Sequence, residues 1–559
     1  FESKYEFRNK KRVFDISPSF NINNSQSSSS EQSSSSGSNQ GLQSVNNTYS
    51  QNNIDSKNIT FDAGYINTGS FDQTVKRPKN YQVNYTFYAG SSGNQQWNKT
   101  AFRSVKDSTQ NKNFDRRYNK NFNDINQTLF LQLNDLKSLI FRNKNLAGFD
   151  FQFQNNFYLN THNENNMVTD KDSLSKLYLL NDYLTNKSAN NTFNDKPALN
   201  FNKWFMKSLA NRYQKTVFIQ ALAESQFYHL KNTSEKSFQN LEYNYLKFIP
   251  SASINYTNYQ YGDHQMSMSI NYKASSDYPN VDQLAPLTDS SNVYYIQKGT
   301  GNLKPDYKHE VSLTFQNSIM KSKNVFFYSL YINAGVINNN MMDSSIYDNL
   351  GRSIHYTVNA NGNKYASAMG NLNKAFKFKE NQLQLSAMTN FNIAKNPNYV
   401  NSVLIMSNSF TNNTNVNLHY RLKDFLVISL GENLSFFHSI QNASNKNEFK
   451  NSRKSTTFST SINFTKKLTL SSNITYNRNT SSGSSSIDFT IWNASTQYRF
   501  LKGNNAEIKL SALDLLHQNT SIINYGSNNY LARGTVNVLQ QYFMVTFSYF
   551  PRKFGKEKN

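Results

Sequence analysis

The segment Ser486 to Phe550 constrains the fold of this chain more than any other. It holds three alternating runs joined by turns. In Gln541 to Phe550, the residues Phe543, Val545, Phe547 and Tyr549 share one face, with Thr546 and Ser548 on the other. A period of two puts successive side chains on opposite sides of a strand. Ala506, Ile508, Leu510 and Ala512 alternate in the same way, opposite Glu507, Lys509 and Ser511. A strand buried on both sides does not carry Glu and Lys at successive inward positions without partners. A strand with lipid on one side and a wet lumen on the other does.

Composition fits such strands. Tyr and Phe number 35 and 42 among 559 residues, yet mean hydropathy is only −0.71. Asn and Ser make up the difference. Disordered chains are poor in aromatics, so this is not one. No run of about 18 apolar residues is present, which excludes a transmembrane helix but not a closed barrel. Cysteine is absent, which removes disulfides, thiol catalysis and Cys-based zinc sites. The formal charge is +23. In a soluble protein that excess suggests nucleic acid. Here the cations recur in short turns, and no nucleic-acid partner is expected. The chain begins at Phe1 without a signal-peptide pattern, as expected of a mature chain or a fragment of something longer.

The same alternation recurs along the chain. Phe14, Ile16, Phe20 and Ile22 form one run, Tyr81, Val83, Tyr85 and Phe87 another, and Phe149, Phe151, Phe153 and Phe157 a third. Val217, Ile219, Ala221 and Ala223 continue the pattern. In the second half, short turns at Lys321 to Lys323, Lys377 to Glu380, Arg421 to Asp424, Lys466 to Lys467 and Lys502 to Asn505 lie about 40 residues apart, with one longer interval. Long Asn- and Ser-rich stretches separate them. Short turns on one side and long loops on the other make an up-and-down meander of the outer-membrane type. Strands of about 12–16 residues suit a tilted membrane strand better than a sandwich. Counting back from the C-terminus gives about 21 strands. The even-number rule then predicts an all-β transmembrane antiparallel up-and-down β-barrel of about 22, its first strand lying before Phe1. The expected layout is one barrel domain over 1–559. Its long extracellular loops are 26–57, 160–196, 276–305 and 341–365, and 551–559 is a basic periplasmic tail. The run Ser25 to Ser38 reads as a solvated loop.

Two blocks resemble a known family. One comprises Ile491 to Ala494, Leu510 to Asn519, Tyr542 to Tyr549 and Lys553 to Gly555. It is similar to the C-terminal strands of the Bacteroidetes outer membrane protein beta-barrel family, which is TonB-dependent-receptor-like. The other comprises Ser275 to Pro279, Leu284, Pro286, Leu287 and Gly301-Asn-Leu-Lys-Pro-Asp306. It is similar to an extracellular loop and following strand of TonB-dependent receptors, in which Gly-Asn-x-Leu-Lys-Pro-Glu is common. Here one residue is missing after Asn302, and Asp306 stands where Glu is usual. The resemblance runs from about Asn240 to the end. It implies an outer-membrane location and ligand capture by outer loops. It also implies a plug moved by an inner-membrane TonB-type complex; neither plug nor TonB-contacting segment is visible in this sequence.

Sequence motifs give no catalytic, cofactor or metal site. The histidines His162, His229, His264, His309, His355, His419, His438 and His517 show no ligand spacing. Met341 and Met342 are candidates for a soft metal, with loop packing the stronger expectation. Tyr278, Tyr294 and Tyr295 could stack on a ligand, and packing is again the stronger expectation. Glu507, Lys509 and Arg499 face the lumen but are too generic to select a ligand. The expected function is therefore a non-enzymatic barrel that binds or takes up an extracellular ligand. The rival from another class is a structural barrel subunit of a larger outer-membrane assembly, partnered by surface lipoproteins or other barrels.

Overall fold

The computed structural model describes residues 3–9, 12–37, 41–67, 80–105, 107–134, 136, 149–289, 291–292, 295–320, 325–348, 352–442, 446–482, 485–519, 521–526, 531–536 and 539–550. For 31, 33–37, 41–43, 446 and 521–536 only the backbone is described. One sheet of 26 strands contains nearly all of it. Four of these strands, Tyr178–Leu180, Ile296–Lys298, Asn340–Tyr347 and Ser353–Ala360, lie in connections. Two others, Leu241–Phe248 and Ser251–Gln260, pair successively along the neighbour Tyr213–Ser234 and make one stave interrupted at Pro250. Twenty-one staves remain, in sequence order and antiparallel throughout. That matches the count expected from alternation alone. Among the described residues, the end strands Tyr5–Arg8 and Tyr542–Tyr549 each pair on one side only, with Arg12–Gly37 and Ala506–Leu513.

Register assigns the two faces. Leu418 pairs with Leu430, Leu430 with Phe458, Phe458 with Ile474 and Ile474 with Trp492. A second apolar row runs from Ile219 through Ile254, Ile270, Leu313 and Ile332 to Ala368 and Phe391. Most of their side chains stand exposed (Ile254 is 48% accessible), with Leu313 and Ala368 half-buried, as lipid-facing groups of a barrel should be. The opposite parity is polar. Ser459 pairs with Asn473 and Asn473 with Asn493, while Ser471 pairs with Ser495 and Ser495 with Ser511. At the C-terminal edge the outward rows are Ala506–Tyr549, Ile508–Phe547, Leu510–Val545 and Ala512–Phe543, followed on neighbouring staves by Ile474–Trp492. Val545 therefore occupies the middle row of the band.

The N-terminal half departs from the sequence expectation. Arg12–Gly37 and Gly41–Asn67 are strands of 26 and 27 residues, and Tyr81–Ser104, Lys112–Leu133, Phe149–Lys171 and Asn186–Leu209 run 22 to 24. These are far longer than the expected 12–16. At about 3.3 Å per residue the longest approaches 90 Å, several times a 25 Å lipid band even when tilted. The Ser-rich run is therefore strand, paired residue for residue (Ser27 with Asn52, Ser30 with Tyr49). The segments taken as loops 26–57, 160–196 and 341–365 are mostly strand as well. The physical reason is solvent. Past the lipid band both faces of a strand are wet, so the period-two hydrophobic signal disappears while the backbone ladder continues.

From Tyr213 onward the connections at one end are all short, while the other end carries the long ones together with the two-residue turn from Val400 to Val403; before Tyr213, connections 68–80 and 134–148 at the first end are longer. Leu209 to Tyr213, Gln260 to His264, Phe378 to Asn381 and Leu422 to Leu426 are tight turns at one end. The segments 276–306, 339–362 and 514–541 join staves at the other. The turn expected at Lys321 to Lys323 lies outside the described residues, as do Tyr294 and the tail 551–559.

Candidate functional site

The connection 276–306 folds inward. It leaves the tenth stave (His264–Ser275) and returns to the eleventh (Tyr307–Ile319), yet it touches the inner faces of the fifth and sixth (Lys112–Leu133, Phe149–Lys171). Its short helix Val281–Leu284 starts with a capping box, in which Asn280 Oδ1 accepts from Gln283 N (2.9 Å) and Gln283 Oε1 from Asn280 N (3.1 Å). That pairing satisfies donors that would otherwise be orphaned at a helix start. Leu284 and Leu303 are 4% exposed and pack on Leu230 of the wall, flanked by Tyr228, Leu241 and Tyr243. Burying each such leucine stabilises by about 1.5–3 kcal/mol. The two halves of the family-like block close on each other. Asp306 Oδ1 accepts from Asp277 N (2.7 Å), Asp277 O from Asp306 N (3.1 Å) and Asp306 O from Ser276 Oγ (2.5 Å). Burial pushes the Asp306 carboxyl up. Gly299 is required at the fold of this cap, since a Cβ there would lie 2.3 Å from Leu284 O.

A second segment completes the cap. Asn340–Tyr347 and Ser353–Ala360 form a hairpin, and Ile296–Lys298 adds to it in parallel. Arg352 Nη1 donates to Gln110 Oε1 at 3.1 Å. Gln110 lies between the fourth and fifth staves and Arg352 between the twelfth and thirteenth, so the contact crosses the mouth of the lumen. His355 sits inside this cap, 8% exposed, with Nδ1 2.7 Å from Asp343 Oδ2, Nε2 2.7 Å from Ser353 Oγ and its ring on Tyr295 at 4.1 Å. Ser, His and Asp in line suggest an activated nucleophile. But Ser353 is 2% exposed, so no substrate reaches it, and the three groups pin the hairpin instead.

The latch between cap and wall is ionic. Arg116 is 4% exposed. Its Nε and Nη2 donate to Asp170 Oδ1 and Oδ2 (2.6 and 3.0 Å), and its Nη1 donates to Asp289 Oδ1 (2.5 Å). Asp289 also accepts from the Tyr118 hydroxyl. Burial raises the Asp170 carboxyl, but hydrogen bonds from Arg116 and Asn181 outweigh it and hold it below the usual range. Burial and the Asp289 carboxylate push the Tyr118 hydroxyl up to about 12. Arg116 stays charged throughout. Cap, latch and wall enclose a cavity of about 580 Å³. Its lining is dominated by amides and hydroxyls, among them Gln96, Asn98, Asn166, Asn186, Ser188 and Asn232. Asn166 is 8% exposed, and its Oδ1 has no hydrogen-bond partner. A buried acceptor left so costs about 1–3 kcal/mol.

Of the residues singled out by sequence, Tyr278 and Tyr295 are packing groups of the cap. Tyr278 stacks on Tyr228 at 4.0 Å. Met341 and Met342 lie in the cap hairpin opposite Asn359 and Val358. Among the described residues no three His, Asp or Glu side chains gather as metal ligands. Glu507 and Arg499 pair with each other (3.0 Å) at the short-turn end, far along the staves from the cavity, and Lys509 lines a separate polar groove with Ser495 and Ser511. Sequence reasoning missed Arg116, Tyr118, Asp170 and Asp289. The one available signal was Arg116-Arg117-Tyr118 within a polar stretch, which no periodicity marks.

No curated protein matches the chain. Solved structures similar to it include the siderophore receptor PirA from Pseudomonas aeruginosa (9% identity, 95% of this chain and 80% of that one, TM-score 0.31). The copper transporter OprC is another (9%, 97% and 76%, 0.38), and the RagAB peptide importer in its closed-closed state a third (8%, 84% and 72%, 0.30). The model of the outer membrane protein beta-barrel family matches residues 223–549. That match covers more than half of the sequence, and with the lipid-facing apolar rows it makes this chain a member of the outer membrane protein beta-barrel family, a strand-built protein of the bacterial outer membrane.

Proposed function

We propose that this outer-membrane barrel binds an extracellular ligand in the capped lumen and takes it up across the membrane. The observation that carries the reading is the inward-folded cap, which latches onto Arg116 and leaves a cavity lined mainly by amides and hydroxyls. We read the capped end as the outer one, because the longest staves and the inward-folded connections 276–306 and 339–362 extend from it, as the larger extracellular portions do in such barrels. A ligand entering from outside meets amides that donate and accept at once. Release inward requires the latch to open, and that opening trades an Arg116–Asp289 bond for water. By resemblance to TonB-dependent receptors, an inner-membrane energising complex would drive this through a plug. The expected test is native mass spectrometry of the barrel purified from its own outer membranes. A single barrel carrying a small polar solute, lost when Asn166 becomes Leu, supports the reading.

The rival is a structural subunit without transport. The observation favouring it is the height of the staves from Arg12–Gly37 to Asn186–Leu209, which offer contact surface well past the lipid band. A stable complex with surface lipoproteins or other barrels, carrying no solute, would overturn the transport reading.

A further inference from the structure

The outward face of the tall wall carries a group of side chains that the lumen does not use. On Tyr81–Ser104 the outward residues Tyr81, Val83, Tyr85, Phe87 and Ala89 belong to the apolar band, and the same parity continues to Trp97 and Lys99. Trp97 is eight residues past Ala89. At about 3.3 Å per residue and a tilt of about 40°, it stands about 20 Å beyond the band. With the capped end outward, that height is level with the sugars of outer-leaflet glycolipids, above their acyl chains.

The group is built around Asp115. Its Oδ1 accepts from Trp97 Nε1 (2.7 Å) and from the Tyr178 hydroxyl (2.8 Å), so its charge is used to hold two rings in place. Lys99 Nζ lies 4.1 Å from the centre of the Trp97 ring, and the Arg117 guanidinium 3.8 Å from that of Tyr178. Lys171 Nζ is 4.0 Å from Asp115. Cations on aromatic faces are attracted yet keep their donors free for another partner. Lys99, Arg117 and Lys171 are exposed and surround one carboxylate, so the patch carries excess positive charge. Four residues nearer the membrane, paired Asn121–Asn165 and Asn123–Asn163 line an outward groove of about 600 Å³ together with Lys187, Glu164 and Glu235. Adjacent amides suit vicinal sugar hydroxyls, and the cations suit phosphate.

We infer that this outward patch binds the phosphorylated saccharide of an outer-leaflet glycolipid, with Lys99, Arg117 and Lys171 on phosphate and the asparagine pairs on the adjoining sugar. Ligand uptake through the lumen is not needed for this. The test uses the full chain in detergent micelles and purified lipopolysaccharide, intact or stripped of phosphate by alkaline phosphatase. The double variant Lys99→Ala/Arg117→Ala is compared with wild type and with Asp289→Asn in the cap. Heat-modifiable migration on gels checks that each variant is folded. The expected result is that wild type and Asp289→Asn bind intact glycolipid equally. The double variant binds at least ten-fold more weakly, and dephosphorylated glycolipid binds none of them. Equal binding by a folded double variant, equal binding of the dephosphorylated glycolipid, or retention of a protein in place of glycolipid would each overturn the inference.

Discussion

Replacing Asp289 with Asn should loosen the cap without unfolding the barrel. The change keeps one oxygen to accept from Arg116 Nη1, replaces the oxygen that accepts from Tyr118 with a donor NH2, and removes the charge. Arg116 remains bound to Asp170 through two further bonds, so the substitution strands no buried charge on the wall. A hydrogen bond to a charged partner contributes about 1.5–3 kcal/mol. Asp289 keeps 33% of its side chain in solvent, which screens part of that. The expected loss is about 1–2 kcal/mol of docking free energy, or about a 5- to 30-fold rise in the open cap population at 1.4 kcal/mol per decade. Amide hydrogen exchange reads this directly, because exchange of cap amides follows their open population. Ala285 N and Thr300 N, bonded to Val281 O and Gln283 O within the cap, should exchange correspondingly faster. Wall amides of Phe149–Lys171 should not change. Unchanged exchange in the cap would refute the latch, and uniform acceleration of cap and wall would show that Asp289 stabilises the barrel as a whole.

The remaining predictions concern the cap and the lipid face. Gly299→Ala puts a Cβ against Leu284 and Pro286, so it should raise exchange of the same cap amides while leaving heat-modifiable migration unchanged. Docking should be level between about pH 5 and 9. Tyr118 is raised to about 12 by burial and the cap's Asp289, so its contribution to docking is present below about 10 and is lost as pH climbs toward that value. Asp170 is depressed by Arg116 and Asn181, so its contribution belongs to the wall, is present above the unfolded value near 3.9 and fades as pH falls further. Cap exchange at high pH and wall exchange at low pH check the two signs. On the lipid face, Val545→Arg in the middle row should cost about 2–4 kcal/mol of folding stability in vesicles, and Phe547→Arg, one row toward the short turns, less. Equal penalties in a urea titration would displace the band from this register.

The sequence made the membrane-level part of this molecule legible because one solvent boundary writes itself into every stave. Phe543, Val545 and Phe547 alternate with Met544, Thr546 and Ser548 since lipid lies on one side and water on the other. The same holds for Ile219, Ile254 and Ile270. Where that boundary ends, so does the code. Ser27 to Ser30 are wet on both sides, and nothing in four serines distinguishes a strand paired with Asn52 to Tyr49 from a solvated loop. Only the partner strand decides, and partners are set by the register of staves lower down. The cap fails for a different reason. Arg116 and Asp289 are 173 residues apart, and neither follows a period. Their meeting depends on how far the connection 276–306 reaches across the lumen. What was legible there was the phrase Gly301 to Asp306 and its companion Ser275 to Pro279, and the structure gives their spacing a cause. Asp277 and Asp306 bond each other's backbone, so the two phrases are the feet of the cap. Those feet tie its two ends together at the rim, which lets the residues between them turn inward as one unit. The Arg116 latch and the cavity behind it therefore depend on a motif whose residues touch neither, and disrupting Asp306 should free the cap as effectively as removing Asp289.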